Sequence, residues 1–215
     1  MRNFPVLPSP SALPLGRIGV PSKPHRVVNL ALDSAAIARF NDVLHGIHPD
    51  ALHVDADRFA HLAHWLLELS PKQSQRELQQ RLRRVTDLKK MAADPDWDTD
   101  ESQRARLARL LDYLNDPEDV IPDRTPRLGR LDDALLVELA WPAFADEVED
   151  YLDFCHFRHE QHPRGSPPLK RSAWIRMRMA EGALWQQLQR VRHSRYAEFG
   201  PMAEGLKAVG SVLMT

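Results

Sequence analysis

Two histidine pairs stand at helical spacing in this 215-residue chain, His61-x-x-His64 and His156-x-x-His159, with His162 three positions further on. Histidines three apart share one face of a helix, the arrangement two ligands of one metal ion need. A second set is acidic. Asp116, Glu118, Asp119, Asp123, Asp132 and Asp133 place six carboxylates within 18 residues. Carboxylates that converge repel one another unless a cation neutralises them. Asp119, Asp123, Asp132 and Asp133, with His61, His64, His156 and His159, are therefore the candidate ligands of a divalent metal, and would suit metal-assisted hydrolysis. The spacing is not that of the twelve-residue calcium loop, and no pair has the order His-Glu-x-x-His. The plainer reading is structural. His61 and His64 flank an apolar stripe, His156, His159 and His162 sit at a helix end whose dipole favours cations, and the aspartates cap helices and accept turn N–H groups.

Other chemistries find little purchase. Gly-x-Ser-x-Gly, Gly-x-Gly-x-x-Gly and the phosphate-binding loop are all missing. The single cysteine, Cys155, excludes an intrachain disulfide, fits a reduced compartment and falls on an apolar helix face, where a thiol acts as a small hydrophobe. Net charge is −1, which argues against bulk nucleic-acid binding, but the charge is segregated. Residues 1–93 carry 13 Lys and Arg against 8 Asp and Glu, residues 94–160 carry 7 against 19, and residues 161–215 carry 9 against 3. From Arg164 to Ala197 there are eight Lys and Arg and one acid, Glu181. There Arg171, Arg178, Arg190, Arg192 and Arg195 surround Trp174 and Trp185, together with Leu184, Leu188 and Val191. Such a helix docks on the acidic middle of its own chain, lies on an anionic membrane, meets a protein partner, or contacts nucleic-acid phosphates.

The elements that must position these groups read as helices. Residues 1–32 hold six prolines and form an extended arm. Asp33 or Ser34 opens a helix with Ile37, Phe40 and Leu44 inward, and Asp55 opens the next with Phe59, Leu62, Leu66 and Leu69. Ser70-Pro71 with Gln73 is a capping box; behind it Leu78, Leu82, Val85, and Leu88 or Met91 face inward, while Arg81, Arg83 and Arg84 lie on the outer faces. Thr99 opens a helix burying Leu107, Leu110, Leu111 and Leu114. A helix from about Asp132 to Gln161 follows, kinked at Pro142, with Leu136, Leu139, Ala143, Val148, Tyr151, Leu152 and Cys155 inward. Residues 162–168 read as a linker. A basic helix over about Ser172–Tyr196 and a short apolar one near Met202–Leu213 complete the chain.

The loop between the central helices carries a signature. It runs Tyr113, then Pro117-Glu118-Asp119-Val120-Ile121-Pro122-Asp123, then Pro126, Gly129, Asp132 and Asp133. This resembles the YkvA-like family, catalogued as domain of unknown function 1232: Tyr, Pro-x-Asp-aliphatic-Ile-Pro-Asp, then Pro-x-x-Gly-x-x-Asp-Asp. Ten positions agree across 21 residues, over a hairpin spanning about residues 105–145. The resemblance brings no established activity. Many relatives have more apolar helices here and look membrane-associated, whereas Glu138, Asp146, Glu147 and Glu149 make this helix too polar to span a bilayer. Physically, Pro117, Pro122 and Pro126 direct the chain and Gly129 permits a positive φ. Asp119 and Asp123 accept turn N–H groups, Ile121 plugs the hairpin, Asp132 caps the following helix and Asp133 favours its positive end.

These readings predict an all-α chain, a multi-helix orthogonal bundle around a central helix–loop–helix hairpin with an extended Pro-rich arm. The expected divisions are an arm over 1–32, a core over 33–161, a linker over 162–168 and basic helices over 169–215. The leading expectation is a non-catalytic cytoplasmic interaction or adaptor protein with a protein partner, requiring no cofactor, with an anionic membrane surface as a further partner. The alternatives are a hydrolase using a divalent metal, and polyanion binding through the basic helix.

Overall fold

The computed structural model describes residues 13–15, 32–116 and 120–199, with side chains as far as Val191. The arm, apart from residues 13–15 and 32, and the apolar stretch Met202–Leu213 lie outside the described residues, as do Pro117, Glu118 and Asp119. The fold is all-α. Its helices are α1 (Ser34–Ile47), α2 (Ala56–Glu68), α3 (Pro71–Ala93), α4 (Glu101–Leu114), α5 (Leu131–Ala140), α6 (Ala145–Gln161) and α7 (Pro167–Phe199), with a 3₁₀ turn over Trp141–Ala143. Among the described residues there is no strand, and no helix is long and apolar enough to cross a membrane. Two compact units divide the chain between Asp153 and Phe154, within α6.

In the first unit local signals start α1, α2, α3 and α4. The Asp33 carboxylate accepts from Ala35 N at 3.1 Å and that of Asp55 from Arg58 N at 2.8 Å. The Ser70–Gln73 capping box is formed in both directions, with Pro71 at the first helical position. Asp100, not Thr99, caps α4, accepting from Ser102 N at 3.0 Å. Thr99 is buried instead. On α1, Ile37, Phe40, Leu44 and Ile47 are buried, and the Phe40 ring meets Phe59 and Tyr113 edge-on at 5.2 and 5.8 Å. Buried Asn41 ties α1 to the loop before α2: its amide donates to Val54 O at 2.8 Å and its oxygen accepts from Val54 N at 2.8 Å.

The centre of this unit is α5, on which residues 131–137 and Ala140 are all buried. A helix apolar on every side needs neighbours on every side, and α1, α3 and α4 all pack against it. The expected single helix over 132–161 is therefore two. Pro142 has no N–H for the helical ladder, so α5 ends at Ala140 and the chain passes through the 3₁₀ turn before α6 begins. The buried face of α6 also differs from the expected one. Phe144, Val148, Phe154 and Phe157 are buried, whereas Leu152 is exposed and Cys155 half-buried.

Two further faces differ from expectation. On α4 Tyr113 is buried with Leu107 and Leu110, while Leu111 and Leu114 are half-buried. On α3 the buried line is Ser74, Arg81, Val85, Leu88 and Met91, with Leu78 and Leu82 only half-buried. Arg81, expected outside, has 1% of its surface exposed. Its guanidinium meets Glu77 at 2.8 Å and Glu138 at 3.5 Å, so α5 and its own helix provide the countercharges.

In the second unit Phe154 of α6 meets Trp174 of α7 edge-on at 5.8 Å. Helix α7 begins at Pro167, five residues before the expected start, because both prolines of Pro167-Pro168 fall in the first turn, where no N–H is needed. Ser166 O accepts from Leu169 N and Lys170 N at 3.0 and 3.1 Å.

Candidate functional site

The signature loop is built around one carboxylate. Asp132 is fully buried in the first turn of α5. Its Oδ2 accepts from Val120 N at 2.9 Å, Ile121 N at 3.3 Å and the Tyr113 hydroxyl at 3.3 Å. Asp132 is thus not the expected cap of α5. The cap position belongs to Arg130, left-handed at φ 70°, whose side chain makes no capping bond. Asp132 instead reaches back across the loop and satisfies two N–H groups of the segment that enters the core with Ile121, itself fully buried. Burial pushes the Asp132 carboxyl above the usual carboxylate range, against the downward pull of the Ile121 and Val120 N–H groups. Oδ1 is buried and makes no hydrogen bond among the described residues.

The other signature positions also serve the loop. Asp133, nearly buried in the positive first turn of α5, meets Arg130 Nε at 3.1 Å. Gly129 does not supply a positive φ, which falls instead on Arg127 (67°) and Arg130 (70°). Its role is close approach: a Cβ there would be driven into the carbonyl oxygen of Asp123 and lie 3.2 Å from that of Thr125. Asp123 contributes through that backbone carbonyl; its carboxylate is exposed and accepts no hydrogen bond among the described residues, contrary to expectation. Pro122 O accepts from Thr125 N at 2.8 Å, and Pro126 lies in the exposed turn that follows.

Sequence reasoning passed over Arg127, a variable position of the signature. Its guanidinium donates to Leu67 O at 2.9 Å and Leu66 O at 3.3 Å, and also to Leu69 O, at the end of α2. That helix has no basic residue in its own last turn. Its unsatisfied carbonyls and negative dipole end are therefore served from 58 positions away, which no local pattern announces. Replacing Arg127 by Ala should lower stability by about 1–2 kcal/mol, read by urea unfolding, and Arg127→Lys should restore only part because lysine lacks the planar fork.

The histidines are distributed differently. His61 is exposed on α2 and His64 half-buried. In the second unit His156 pairs with Glu160 at 2.9 Å, and the His159 and His162 rings stand 6.4 Å apart. Among the described residues no three His, Cys, Asp or Glu side chains gather as metal ligands would. Asp119 lies outside them.

The basic helix presents the second candidate surface. Trp174 is buried against Phe154, and Arg178 lies over the Trp174 ring at 5.3 Å. Arg171 is half-buried and Arg190 exposed, while the side chains of Arg192 and Arg195 lie outside the described residues. Among the described residues nine large apolar side chains are exposed, and seven of them belong to α7: Leu169, Ile175, Met179, Leu184, Trp185, Leu188 and Val191. No family model matches the chain, and no curated protein or solved structure matches it.

Proposed function

We propose that this is a non-catalytic interaction protein of the YkvA-like kind, acting in the cytoplasm, with a signature hairpin that builds the scaffold and α7 as its contact element. The observation that carries the reading is the exposed apolar stripe Leu184, Leu188 and Val191, flanked by Trp185, on a helix rich in arginine. These residues recur at i, i+4 and i+7, the spacing of one helix face, yet Leu184 and Leu188 are 59% and 55% exposed. Soluble chains rarely leave a contiguous apolar stripe open, and such a stripe rimmed by polar groups marks a contact surface. The hairpin supports the same reading, since Tyr113, Ile121, Gly129, Asp132 and Asp133 are each engaged in holding the loop.

A photoreactive phenylalanine analogue at position 188 tests this in living cells. An adduct is expected from Leu188 and not from Gln186, which lies on the opposite face of α7. The absence of an adduct at 188, or equal labelling at both positions, would overturn the reading.

A further inference from the structure

We infer that the partner of α7 is the surface of an anionic lipid bilayer, an inference that rests on the contact role just proposed for this helix. Three properties of the helix converge on it. The first is charge: Arg164–Ala197 holds eight Lys and Arg against Glu181 alone, so whatever covers this segment must supply negative charge over a length of several helical turns.

The second property is apolar depth. From Met179 to Val191 the helix is about 20 Å long, and Leu184, Leu188, Val191 and Trp185 occupy an arc of roughly 120° on its circumference. A nucleic-acid duplex offers phosphates to the arginines but, without kinking, no apolar layer for Leu184 and Leu188. The interfacial zone of a bilayer offers both, acyl chains for the leucines and phosphates a few ångströms above them.

The third is the edge of the stripe. Arg178 and Trp185 are seven residues apart and share one flank, where Arg178 is exposed and Trp185 is 50% exposed. In an acid-lined protein groove a guanidinium at that position would have to be desolvated along with the indole. At a bilayer the arginine stem follows the apolar surface while its head stays among phosphates, and the indole sits at the headgroup level. Gln186 and Arg190, on the opposite face, would remain in water. The segment beyond Trp174 then binds lying in the plane of the surface, the leucines inserted to the level of the upper acyl chains.

The test is co-sedimentation of the full chain with vesicles of phosphatidylcholine alone and of phosphatidylcholine mixed equally with phosphatidylglycerol. The chain should sediment with the mixed vesicles only, and high salt should release it. Arg178→Glu, which removes two units of positive charge from the flank of the stripe, should weaken binding by roughly tenfold or more. Leu184→Ser/Leu188→Ser should weaken it by roughly tenfold or more while leaving the circular dichroism unchanged, because both side chains are exposed. A blue shift of tryptophan emission on binding should disappear in Trp185→Phe. A wild-type chain that ignores mixed vesicles, or that binds them regardless of these substitutions, would overturn the inference. If vesicles fail while the adduct at Leu188 contains protein or nucleic acid, the lipid assignment falls and the contact role stands; if neither vesicles nor any adduct is found, both fall.

Discussion

Replacing Glu138 by Ala should lower the unfolding free energy by about 3–5 kcal/mol. The reason is Arg81. Its side chain is 1% exposed, and a guanidinium removed from water at that depth depends on its partners. Nη1 donates to the Glu77 carbonyl at 2.9 Å and to its carboxylate at 2.8 Å, both one turn earlier on α3. Nε faces Glu138 Oε2 at 3.5 Å, from α5. The same oxygen accepts from Arg84 Nη1 at 3.0 Å, and the Arg84 guanidinium lies 4.6 Å from the centre of the Trp141 ring. Burial already lowers the Arg84 pKa, while Glu138 opposes that shift.

One carboxylate on α5 therefore serves two cations of α3, buried Arg81 and half-buried Arg84. Removing it takes away the carboxylate that pairs with Arg84 and the one that faces buried Arg81 from α5, and breaking a buried pair costs more than the pair contributes. Glu138→Gln keeps an acceptor and should cost less, about 1–2 kcal/mol. Urea unfolding at neutral pH gives both values. A Glu138→Ala protein within about 1 kcal/mol of the wild type would show that Glu77 suffices for Arg81.

Asp132 is the second point of high sensitivity, and its signature is a pH dependence of unusual sign. Asp132→Ala orphans the Val120 and Ile121 N–H groups and the Tyr113 hydroxyl, at about 1–3 kcal/mol for each buried donor left unmade. The expected loss is about 3 kcal/mol or more. Asp132→Asn retains the acceptor and should cost about 1 kcal/mol at neutral pH. Because burial raises the folded-state pKa, the native protein holds the Asp132 proton more tightly than the unfolded chain does. The associated stability is fully present below the unfolded value of about 3.9 and is lost as pH rises through the folded value. Most paired aspartates behave in the opposite way. Unfolding free energies of wild type and Asp132→Asn across this range should therefore diverge at low pH and approach one another as pH rises. A difference that is constant with pH would remove the raised carboxyl from the account.

Much of the architecture was legible before any coordinates. Asp33, Asp55 and the Ser70–Gln73 box start helices through bonds that close within three residues, and Asp94-Pro95 ends α3 by denying it the next turn. Short-range signals of this kind do not depend on what lies elsewhere in the chain. Where two neighbouring residues could both cap, as Thr99 and Asp100 could, the expected cap was Thr99, but Thr99 is buried and Asp100 caps α4. The signature loop was recognisable as a unit, but the work of its residues was not. Asp132 looks like a cap because it precedes an apolar run, whereas its bonds go 11 and 12 residues back along the chain.

The sequence by itself determined that the chain is helical, where most helices begin, and that its basic and apolar residues gather after Arg164. Tertiary structure decided which faces are inside. Arg81 is buried because Glu138, 57 positions later, is brought to it by the packing of α5 on α3. The inner face of α6 holds Phe154 and Phe157 rather than Leu152 and Cys155, and Phe154 packs on the Trp174 ring of α7. Arg127 serves α2 only because the loop places it there. Capping energies are local and can be read from neighbours in sequence, but the cost of burying a charge or an aromatic ring is set by groups that only the folded chain assembles.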